Sequence, residues 1–434
     1  MNRLLSTVER LAFLVDQTVN QNFVMVATIS GPLTDSILRQ ALDLEQQRHP
    51  PLKCKFIDAD PPKFSTEGVP QIPLSVIQRR SDEHWLEMAE KEILEPLPWR
   101  TGPMVRVVLL RCKEKCDLLV TLCHITADAI SGVNFMKNLL FKAGKLSSGE
   151  TPQPKPPLAE LAATHDMIRD DLKYPPEFLY LPTRISKAIH KPVKFLGDKE
   201  VPIVEKTTRV VQRVLSQEET KKFVTRCRKE KASVHAAVCA ALLQSAVEQI
   251  RGSQDVSQKG PLMIGCTTPV NIRHLFSITV GDDIGNFISD ALHYQRIDDK
   301  SSLWTAARKV KKSLKIELKF KKDIKAVHGL VDLLKNVPTP LDILKIVDQS
   351  LPPVVVTNIG RVDIPGQFGD LVLENFHFTL SINPSAPGGI GIAASSFRDV
   401  MTLNFHYLEP YLSKARVEKI IESTMKRIKE AIRG

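Results

Sequence analysis

The sequence predicts an α/β protein built from two lobes, and three observations lead to this prediction. A chain of 434 residues exceeds what one hydrophobic core usually holds. Strand-like apolar runs alternate with segments of helical spacing in both halves of the chain. Residues 144–202 are interrupted by prolines, as expected of a connector. We therefore expect an N-terminal lobe over residues 1–175, including the start of the connector, and a C-terminal lobe over residues 176–434.

Local signals predict the elements of the first half. Ser6-x-x-Glu9 is a capping box that opens a short helix. The charged residues Lys113-Glu114-Lys115 between two strongly apolar runs predict a hairpin. The predicted strands cover residues 23–29, 52–57, 72–77, 104–112 and 116–123, and the further helices cover residues 35–47, 81–94 and the segment that follows residue 128.

The second half repeats this mixture of elements. Ser216-x-x-Glu219 is another capping box. Ser233 precedes a helix over residues 234–250 that is apolar nearly all round, so this helix should be central to its lobe. The predicted strands cover residues 207–215, 262–270, 352–357, 371–383, 389–396 and 401–407, the last three forming a final sheet. The remaining predicted helices cover residues 302–322, a segment ending near 348, and residues 413–432.

A histidine and an aspartate follow the buried strand over residues 116–123, within the run Cys123-His124-Ile125-Thr126-Ala127-Asp128. Histidine titrates near neutrality, so His124 can act as a general base. Asp128 lies four residues further on and can hold the loop or orient the ring. The same HxxxD pattern also describes an ordinary loop histidine, and the rest of the chain has to distinguish the two interpretations.

Other segments, in order along the chain, resemble a known superfamily. These segments are Ile29-Ser30-Gly31-Pro32-Leu33, Arg48-His49-Pro50-Pro51-Leu52, Pro269-Val270-Asn271-Ile272-Arg273, Gly285-Asn286-Phe287 and Thr357-Asn358-Ile359-Gly360. Together with residues 123–132 they resemble the thioester-dependent acyltransferases with an HHxxxDG motif, which include chloramphenicol acetyltransferase and peptide-synthetase condensation domains. The greatest likeness is to the polyketide-associated acyltransferases of the phthiocerol dimycocerosyl transferase type. Two positions depart from the motif, because Cys123 replaces the first histidine and Ala129 replaces the glycine.

The resemblance implies two chloramphenicol-acetyltransferase-like lobes, each a mixed β-sheet with helices, and an active-site tunnel between them. It implies that His124 is the general base and that Asp128 is structural, paired with Arg273. Thr357 or Asn358 would stabilise the oxyanion. For Arg273 the alternative is an ordinary surface residue, and for Asn358 it is a turn that closes a strand.

The function implied by this resemblance is transfer of an acyl group from an acyl-CoA or carrier-protein thioester to an alcohol, which forms an ester. An amide-forming enzyme of the condensation type is one alternative. A non-catalytic protein that docks carrier proteins is another, and the changes at Cys123 and Ala129 favour it, whereas the intact His124 and Asp128 oppose it. We expect no cofactor beyond the thioester co-substrate, and no metal.

Charge suggests the kinds of partner. Lysine and arginine number 60 against 49 aspartates and glutamates, and the net charge is +11. This balance favours anionic partners such as CoA phosphates, an acidic acyl carrier protein or an anionic membrane surface. The ordinary interpretation of the basic helix over residues 302–322 is a solvated face of a packed helix, and docking of such a partner is the alternative. Aromatic residues are 6% of the chain and no nucleic-acid motif is present, so we set nucleic acid aside.

The remaining compositional features point to an ordinary globular protein. The seven cysteines lie mostly in apolar runs and lack zinc-site spacing, so they read as small core residues. Apolar runs stay below the roughly 18 residues that a membrane span requires. The N-terminal residues are too polar for a signal peptide, so a cytoplasmic protein is expected. Two lobes in one chain make a monomer sufficient.

Overall fold

The structure is a computed structural model. It describes residues 2–59, 61–172, 192–193, 195–253, 260–319, 352–383 and 388–433. The helices of ten or more residues are α1 (Thr7–Asp16), α2 (Asp35–Arg48), α3 (His84–Leu94), α4 (Ala129–Ser147), α5 (Gln217–Lys229), α6 (Val234–Ser253), α7 (Leu303–Lys319) and α8 (Lys414–Arg433). The strands are β1 (Asn22–Ser30), β2 (Lys55–Ile57), β3 (Lys63–Ser65), β4 (Leu74–Gln78), β5 (Val105–Arg111), β6 (Lys115–Cys123), β7 (Thr207–Leu215), β8 (Leu262–Asn271), β9 (Ile288–Ile297), β10 (Val354–Arg361), β11 (Gln367–Phe368), β12 (Leu371–Leu380), β13 (Ile390–Phe397) and β14 (Val400–Glu409).

Six strands form the first sheet in the order β11-β12-β1-β6-β5-β4. Its neighbouring strands are antiparallel, except that β4 and β5 are parallel. Alternate side chains of β1 face opposite sides of the sheet. Phe23 and Met25 join the core beneath α2 and α4, whereas Val24 and Val26 pack against α3. The central strands β1 and β6 are buried on both faces for this reason, as predicted for residues 116–123.

The two strands β11 and β12 lie in the first sheet although they come from the second half of the chain. β12 runs antiparallel to β1, with Phe23 opposite Leu380 and Ser30 opposite Val372. The prediction that residues 371–383 share a final sheet with the last two strands is therefore wrong. The apolar pattern identifies a strand and its buried faces, but it carries no information about which strand lies beside it.

The second sheet has the order β7-β14-β13-β10-β8-β9. Its strand β10 is parallel to β8 and β13, and the other neighbouring pairs are antiparallel. Helix α6 lies under this sheet and contacts α7 and α8 as well. Residues 236–243 have no exposed surface, which confirms that the helix predicted over residues 234–250 is central to its lobe. Two six-stranded mixed sheets with helices confirm the predicted fold class.

Both predicted capping boxes are present. At α1 the Ser6 hydroxyl accepts a hydrogen bond from the Glu9 amide (3.2 Å), and the Glu9 carboxylate accepts one from the Ser6 amide (2.7 Å). Ser216 and Glu219 make the same exchange at α5, at 3.2 and 2.9 Å. These reciprocal bonds fix where each helix begins, because they satisfy amides that the first turn leaves unpaired.

Some predictions fall on residues outside the described ranges. The predicted boundary between residues 175 and 176 is one of them, and so are the helix ending near residue 348 and the end of the basic helix beyond Lys319. These remain predictions. Among the helices of the described ranges, none combines the length and apolar character needed to cross a membrane.

Candidate active site

His124 follows the last residue of β6 and lies where the two lobes meet. Its backbone amide donates to the Gln21 carbonyl oxygen at 2.9 Å, and its ring lies against Phe23 with 4.8 Å between ring centroids. His124 is half-buried, whereas Cys123 and Ile125 on either side are buried. Of these three residues, only His124 is therefore partly accessible to solvent.

The environment of His124 favours a neutral imidazole. Burial lowers its pKa, and the negative charge of Asp128 and a hydrogen bond with the Ala127 backbone oppose this effect only in part. A neutral ring at neutral pH has a lone pair available to accept a proton. The site thus contains a base in the protonation state that proton abstraction requires.

Asp128 caps α4 and is fully buried. Its carboxylate accepts hydrogen bonds from the amide of Ser131 (2.8 Å), from the amide of Phe287 (2.9 Å) and from both Nη atoms of Arg273 (2.8 and 2.9 Å). A bidentate pair with additional amide donors is an arrangement that stabilises a buried carboxylate. These donors occupy both oxygens, so the geometry is that of a residue that holds the loop.

Arg273 comes from the second lobe, in a short 3₁₀ turn (Arg273–Leu275) directly after β8. Its guanidinium also donates to the Ser131 hydroxyl at 2.9 Å and lies over the ring of Phe287, 4.6 Å from the centroid. The ion pair that the sequence predicted between Arg273 and Asp128 is therefore present, and it joins the two lobes. Arg273 is therefore not an ordinary surface arginine.

Residues 285–287, which we call the interlobe clip, bind the histidine loop from the second lobe. The Gly285 carbonyl oxygen accepts from the Asp128 amide at 3.0 Å. The Ser131 hydroxyl donates to the same oxygen (2.9 Å) and accepts from the Gly285 amide (3.1 Å). A Cβ atom at Gly285 would clash with the ring of Phe287, so the close approach requires glycine here.

The clip also reaches the histidine itself. Asn286 donates through Nδ2 to the His124 carbonyl oxygen at 2.6 Å, and the Phe287 amide donates to Asp128. Consecutive clip residues thus hold both ends of the HxxxD loop. Sequence reasoning identified residues 285–287 only as a family-like segment, and it assigned no role to Asn286 or Ser131. The spacing of Ser131, three residues after the helix cap Asp128, was the available signal for that residue.

A cavity of about 40 Å³ lies behind the histidine loop. Its lining includes Thr126, Asn286, His49 and Glu160. Asn286 Oδ1 and His49 Nδ1 are buried and have no hydrogen-bond partner within the described residues. A polar cavity of this volume has room for water, which can satisfy such atoms.

The predicted oxyanion residues lie further along the second sheet. Thr357 and Asn358 are on β10, paired with Ala393 and Ala394 of β13. Asn358 Oδ1 accepts from the Gly360 amide at 2.7 Å, and Gly360 has a φ of 73°. This contact lies within β10, at the irregularity of the β10–β13 register between Asn358 and Arg361. The oxyanion role of Thr357 and Asn358 stays a prediction.

The two departures from the family motif have simple structural consequences. Cys123 is buried, and burial raises its pKa well above the usual value, so its thiol stays neutral. Ala129 is the first residue of α4 and does not adopt a positive φ, so no glycine is needed there. With Cys123 and Ala129 in place, the backbone of His124 and the carboxylate of Asp128 keep the contacts described above.

Part of the sequence and the fold as a whole match known proteins. Residues 205–408 match the family described as "Phthiocerol/phthiodiolone dimycocerosyl transferase C-terminus". The structure superimposes on that of TRI3 trichothecene 15-O-acetyltransferase from Fusarium sporotrichioides with a TM-score of 0.75, at 15% identity, over 99% of this chain and 95% of that one. The predicted resemblance to the condensation-domain-like acyltransferases is confirmed.

Two further similarities have the same character. Polyketide synthase associated protein 5 from Mycobacterium tuberculosis matches with a TM-score of 0.64 at 16% identity, over 99% of this chain and 98% of that one. A segment of 135 residues, 30% of this chain, is 32% identical to Surfactin synthase subunit 2 of Bacillus subtilis (strain 168). The match spans only 4% of that long relative. At such low identities the two solved structures establish the fold alone.

Proposed function

We propose that this protein transfers an acyl group from a thioester to an alcohol, with His124 as the general base. The observation that carries the proposal is a half-buried imidazole with a lowered pKa, whose backbone is held at the lobe junction by hydrogen bonds with Gln21 of one lobe and the Asn286 side chain of the other. The coarser assignment to the acyltransferase superfamily rests on the family match and on the fold.

In the proposed reaction His124 takes the proton of the acceptor hydroxyl while that oxygen attacks the thioester carbonyl carbon. The tetrahedral intermediate then collapses, the carbon–sulfur bond breaks, and the thiolate receives the proton from His124. The ring returns to its neutral state without forming an acyl-enzyme. The intermediate needs a hydrogen-bond donor worth about 3 kcal/mol, for which Thr357 or Asn358 is the candidate.

In this proposal Asp128 positions the base. Its charge is compensated by Arg273 at 2.8 Å, so the carboxylate stabilises the loop and the lobe contact, and it is not a proton acceptor. The remaining catalytic advantage comes from holding the reactants in line with the ring. An active-site tunnel between the lobes, open to both substrates, belongs to this proposal.

The donor is proposed to be acyl-CoA or an acidic acyl carrier protein. Helix α7 buries Ala307 and Val310 and exposes Lys309, Lys312 and Lys315. A cationic helix face attracts phosphates and acidic proteins. An alcohol acceptor is favoured because the structural neighbour from Fusarium sporotrichioides is named an O-acetyltransferase.

A second candidate function is amide formation. It is favoured by the 32% identity to part of Surfactin synthase subunit 2. The two reactions differ only in the nucleophile, so one acyl thioester offered together with an alcohol and an amine separates them. Mass spectrometry of the products should find the ester in excess, and an amide in excess would favour the second candidate.

The proposal is tested by the His124→Ala variant. A screen of acyl-CoAs, with thiol release as the signal and a panel of alcohols as acceptors, first establishes the wild-type activity. Loss of a general base should lower the rate by roughly 10²–10⁴-fold. The exposed His274 provides a matched control, because the His274→Ala variant should keep the wild-type rate. If the His124→Ala variant keeps the wild-type rate, His124 is not the general base. Tight binding of a carrier protein without consumption of the thioester would favour a non-catalytic docking protein.

A further inference from the structure

A chain of three buried ionisable side chains leads from α4 to the cavity behind the histidine loop. The ammonium of Lys142 on α4 donates to Oε1 of Glu45 on α2, and Glu45 Oε2 lies 3.2 Å from Nε2 of His49, the residue that follows α2. Glu45 has no exposed surface, and His49 is 1% exposed. Buried charges are costly unless they are paired, so the Lys142–Glu45 pair and the ring beside it form one fixed group. His49 is the member of this group that lines the cavity.

The protonation of His49 follows from its neighbours. Its contact with Glu45 lacks hydrogen-bond geometry, but a lone pair on Nε2 at 3.2 Å would repel the carboxylate, so Nε2 carries the hydrogen. Lys142 already balances the charge of Glu45, and a neutral His49 leaves the buried group without net charge. In this tautomer Nδ1 has a lone pair and only accepts hydrogen bonds.

Three side chains that line the cavity each have a buried polar atom without a hydrogen-bond partner within the described residues. These atoms are His49 Nδ1, Asn286 Oδ1 and Arg3 Nε. Asn286 Oδ1 is an acceptor, because Nδ2 of the same amide donates to the His124 carbonyl oxygen. Arg3 Nε is a donor, and both Nη atoms of that guanidinium bind the Glu9 carboxylate, at 2.7 and 2.6 Å. The cavity is thus lined by two acceptors and one donor that the described protein groups leave unpaired.

Water matches this set of atoms. Two acceptors cannot bond to each other, whereas a buried water molecule makes about three hydrogen bonds as donor and acceptor. The volume of about 40 Å³ holds up to about three water molecules. Without water, three buried polar groups would lose their hydration and gain no partner, which is costly. The chemistry and the size of the cavity therefore both fit bound water.

We propose that water bound in this cavity connects His49 Nδ1 to Asn286 Oδ1, which makes His49 a positioning residue for His124. This role depends on the proposed function, in which His124 is the general base. Water on Oδ1 holds the amide plane of Asn286, and Nδ2 then stays 2.6 Å from the His124 carbonyl oxygen. His49 belongs to the first lobe and Asn286 to the second, so the water also joins the two lobes behind the base.

Two substitutions separate the two contacts of the His49 ring. In His49→Gln the side-chain amide reaches the place of Nε2, so the contact with Glu45 is kept and the acceptor at Nδ1 is lost. In His49→Asn the shorter amide reaches the place of Nδ1, so the acceptor is kept and the contact with Glu45 is lost. The positioning contact and the stabilising contact are therefore removed one at a time.

Steady-state kinetics and thermal denaturation of both variants form the first test. His49→Gln should keep a melting temperature near that of wild type and lower kcat roughly fivefold, the factor that one hydrogen bond is worth, with KM for the thioester unchanged. His49→Asn should recover most of this turnover although its melting temperature is lower. If kcat instead follows the melting temperature in the two variants, His49 is only structural and the positioning role is wrong.

His84→Gln is the matched control for loss of a buried histidine. His84 is also buried, its ring nitrogens accept hydrogen bonds from Arg80, and it does not line the cavity, so kcat should stay at the wild-type value. A double-mutant cycle then tests whether the effect of His49 passes through Asn286. In the Asn286→Ala background His49→Gln should lower kcat no further, because the water then has no amide to hold. Losses of kcat that multiply would overturn the proposal.

A high-resolution crystal structure of the wild-type protein tests the water site independently of activity. Water should lie within about 3.2 Å of His49 Nδ1 and of Asn286 Oδ1, as one molecule or as a hydrogen-bonded pair. If neither atom has water beside it while His124→Ala is inactive, the role of His49 is wrong and the general base stands. If the water is present and His124→Ala keeps the wild-type rate, the water site stands and the base assignment is wrong.

Discussion

Asn286 of the second lobe donates a 2.6 Å hydrogen bond to the backbone carbonyl oxygen of His124 in the first. Its neighbour Phe287 bonds the carboxylate of Asp128, so the interlobe clip holds the loop at both ends. The position of the histidine backbone therefore depends on contact between the lobes. A change in the relative position of the lobes should therefore displace His124 through these few hydrogen bonds.

Replacing Asn286 by alanine should reduce turnover without unfolding the protein. Loss of one hydrogen bond costs about 1 kcal/mol, and a misplaced base adds to that cost, so kcat should fall roughly tenfold or more. KM for the thioester should change little, because the residue positions the base. Steady-state kinetics measure both quantities. The Asn138→Ala variant, on α4 away from the loop, should behave as wild type, and an unchanged kcat for Asn286→Ala would refute the positioning role.

The Asp128–Arg273 pair should show strong coupling in stability. Asp128→Asn and Arg273→Lys should each lower the melting temperature, because breaking a buried pair costs about 3–5 kcal/mol. The double variant should be less destabilised than the sum of the two singles. Urea denaturation of the four proteins of the cycle measures this coupling. Arg80 and Glu87 form an exposed pair at 2.7 Å and serve as the comparison, with coupling near zero. Additive effects at Asp128 and Arg273 would contradict the account of the site.

The rate of acyl transfer should remain high as the pH falls through about 6.5, the ordinary pKa of a histidine side chain. The pKa of His124 is lowered, so the ring stays neutral and active below about pH 6.5 and becomes protonated only at lower pH. Activity limited by this group is therefore present above the lowered pKa and lost below it. The pH dependence of kcat/KM measures it. The same profile is expected for His274→Ala, and a limb centred above the ordinary value would count against His124 as the base.

Two histidines between the sheets should make the fold sensitive to acid. Burial lowers the pKa of His377 on β12 and of His406 on β14 to about 3. The unfolded chain binds these protons below about pH 6.5, whereas the folded protein resists them, so stability is complete above that pH and falls progressively towards pH 3. His377 packs against Trp85, with 4.4 Å between ring centroids, and contacts Asn404.

The measurement is the difference in unfolding free energy between about pH 7 and about pH 5, from urea titrations. His377→Gln should have a smaller difference than wild type, even if the variant is less stable at both pH values. His274→Gln, which alters an exposed ring, should keep the wild-type difference. Equal pH dependence in all three proteins would mean that His377 does not titrate as its burial requires.

Local features of the sequence determined much of this molecule. Both capping boxes, the hairpin of β5 and β6, and the apolar helix α6 follow from spacing and residue type, because hydrogen bonds and burial within a segment act over a few residues. The motif around His124 identified the candidate base and its neighbour Asp128. The family resemblance, and not the local pattern, pointed to Arg273.

Tertiary structure decided the rest. Strand β12 pairs with β1 across more than 340 residues of chain, and the Asn286 contact with His124 spans 162. Such partners are chosen by the packing of whole lobes, and an apolar alternation is compatible with several neighbours. The sequence identified groups that could react, and the meeting of distant segments decided which of them lie together.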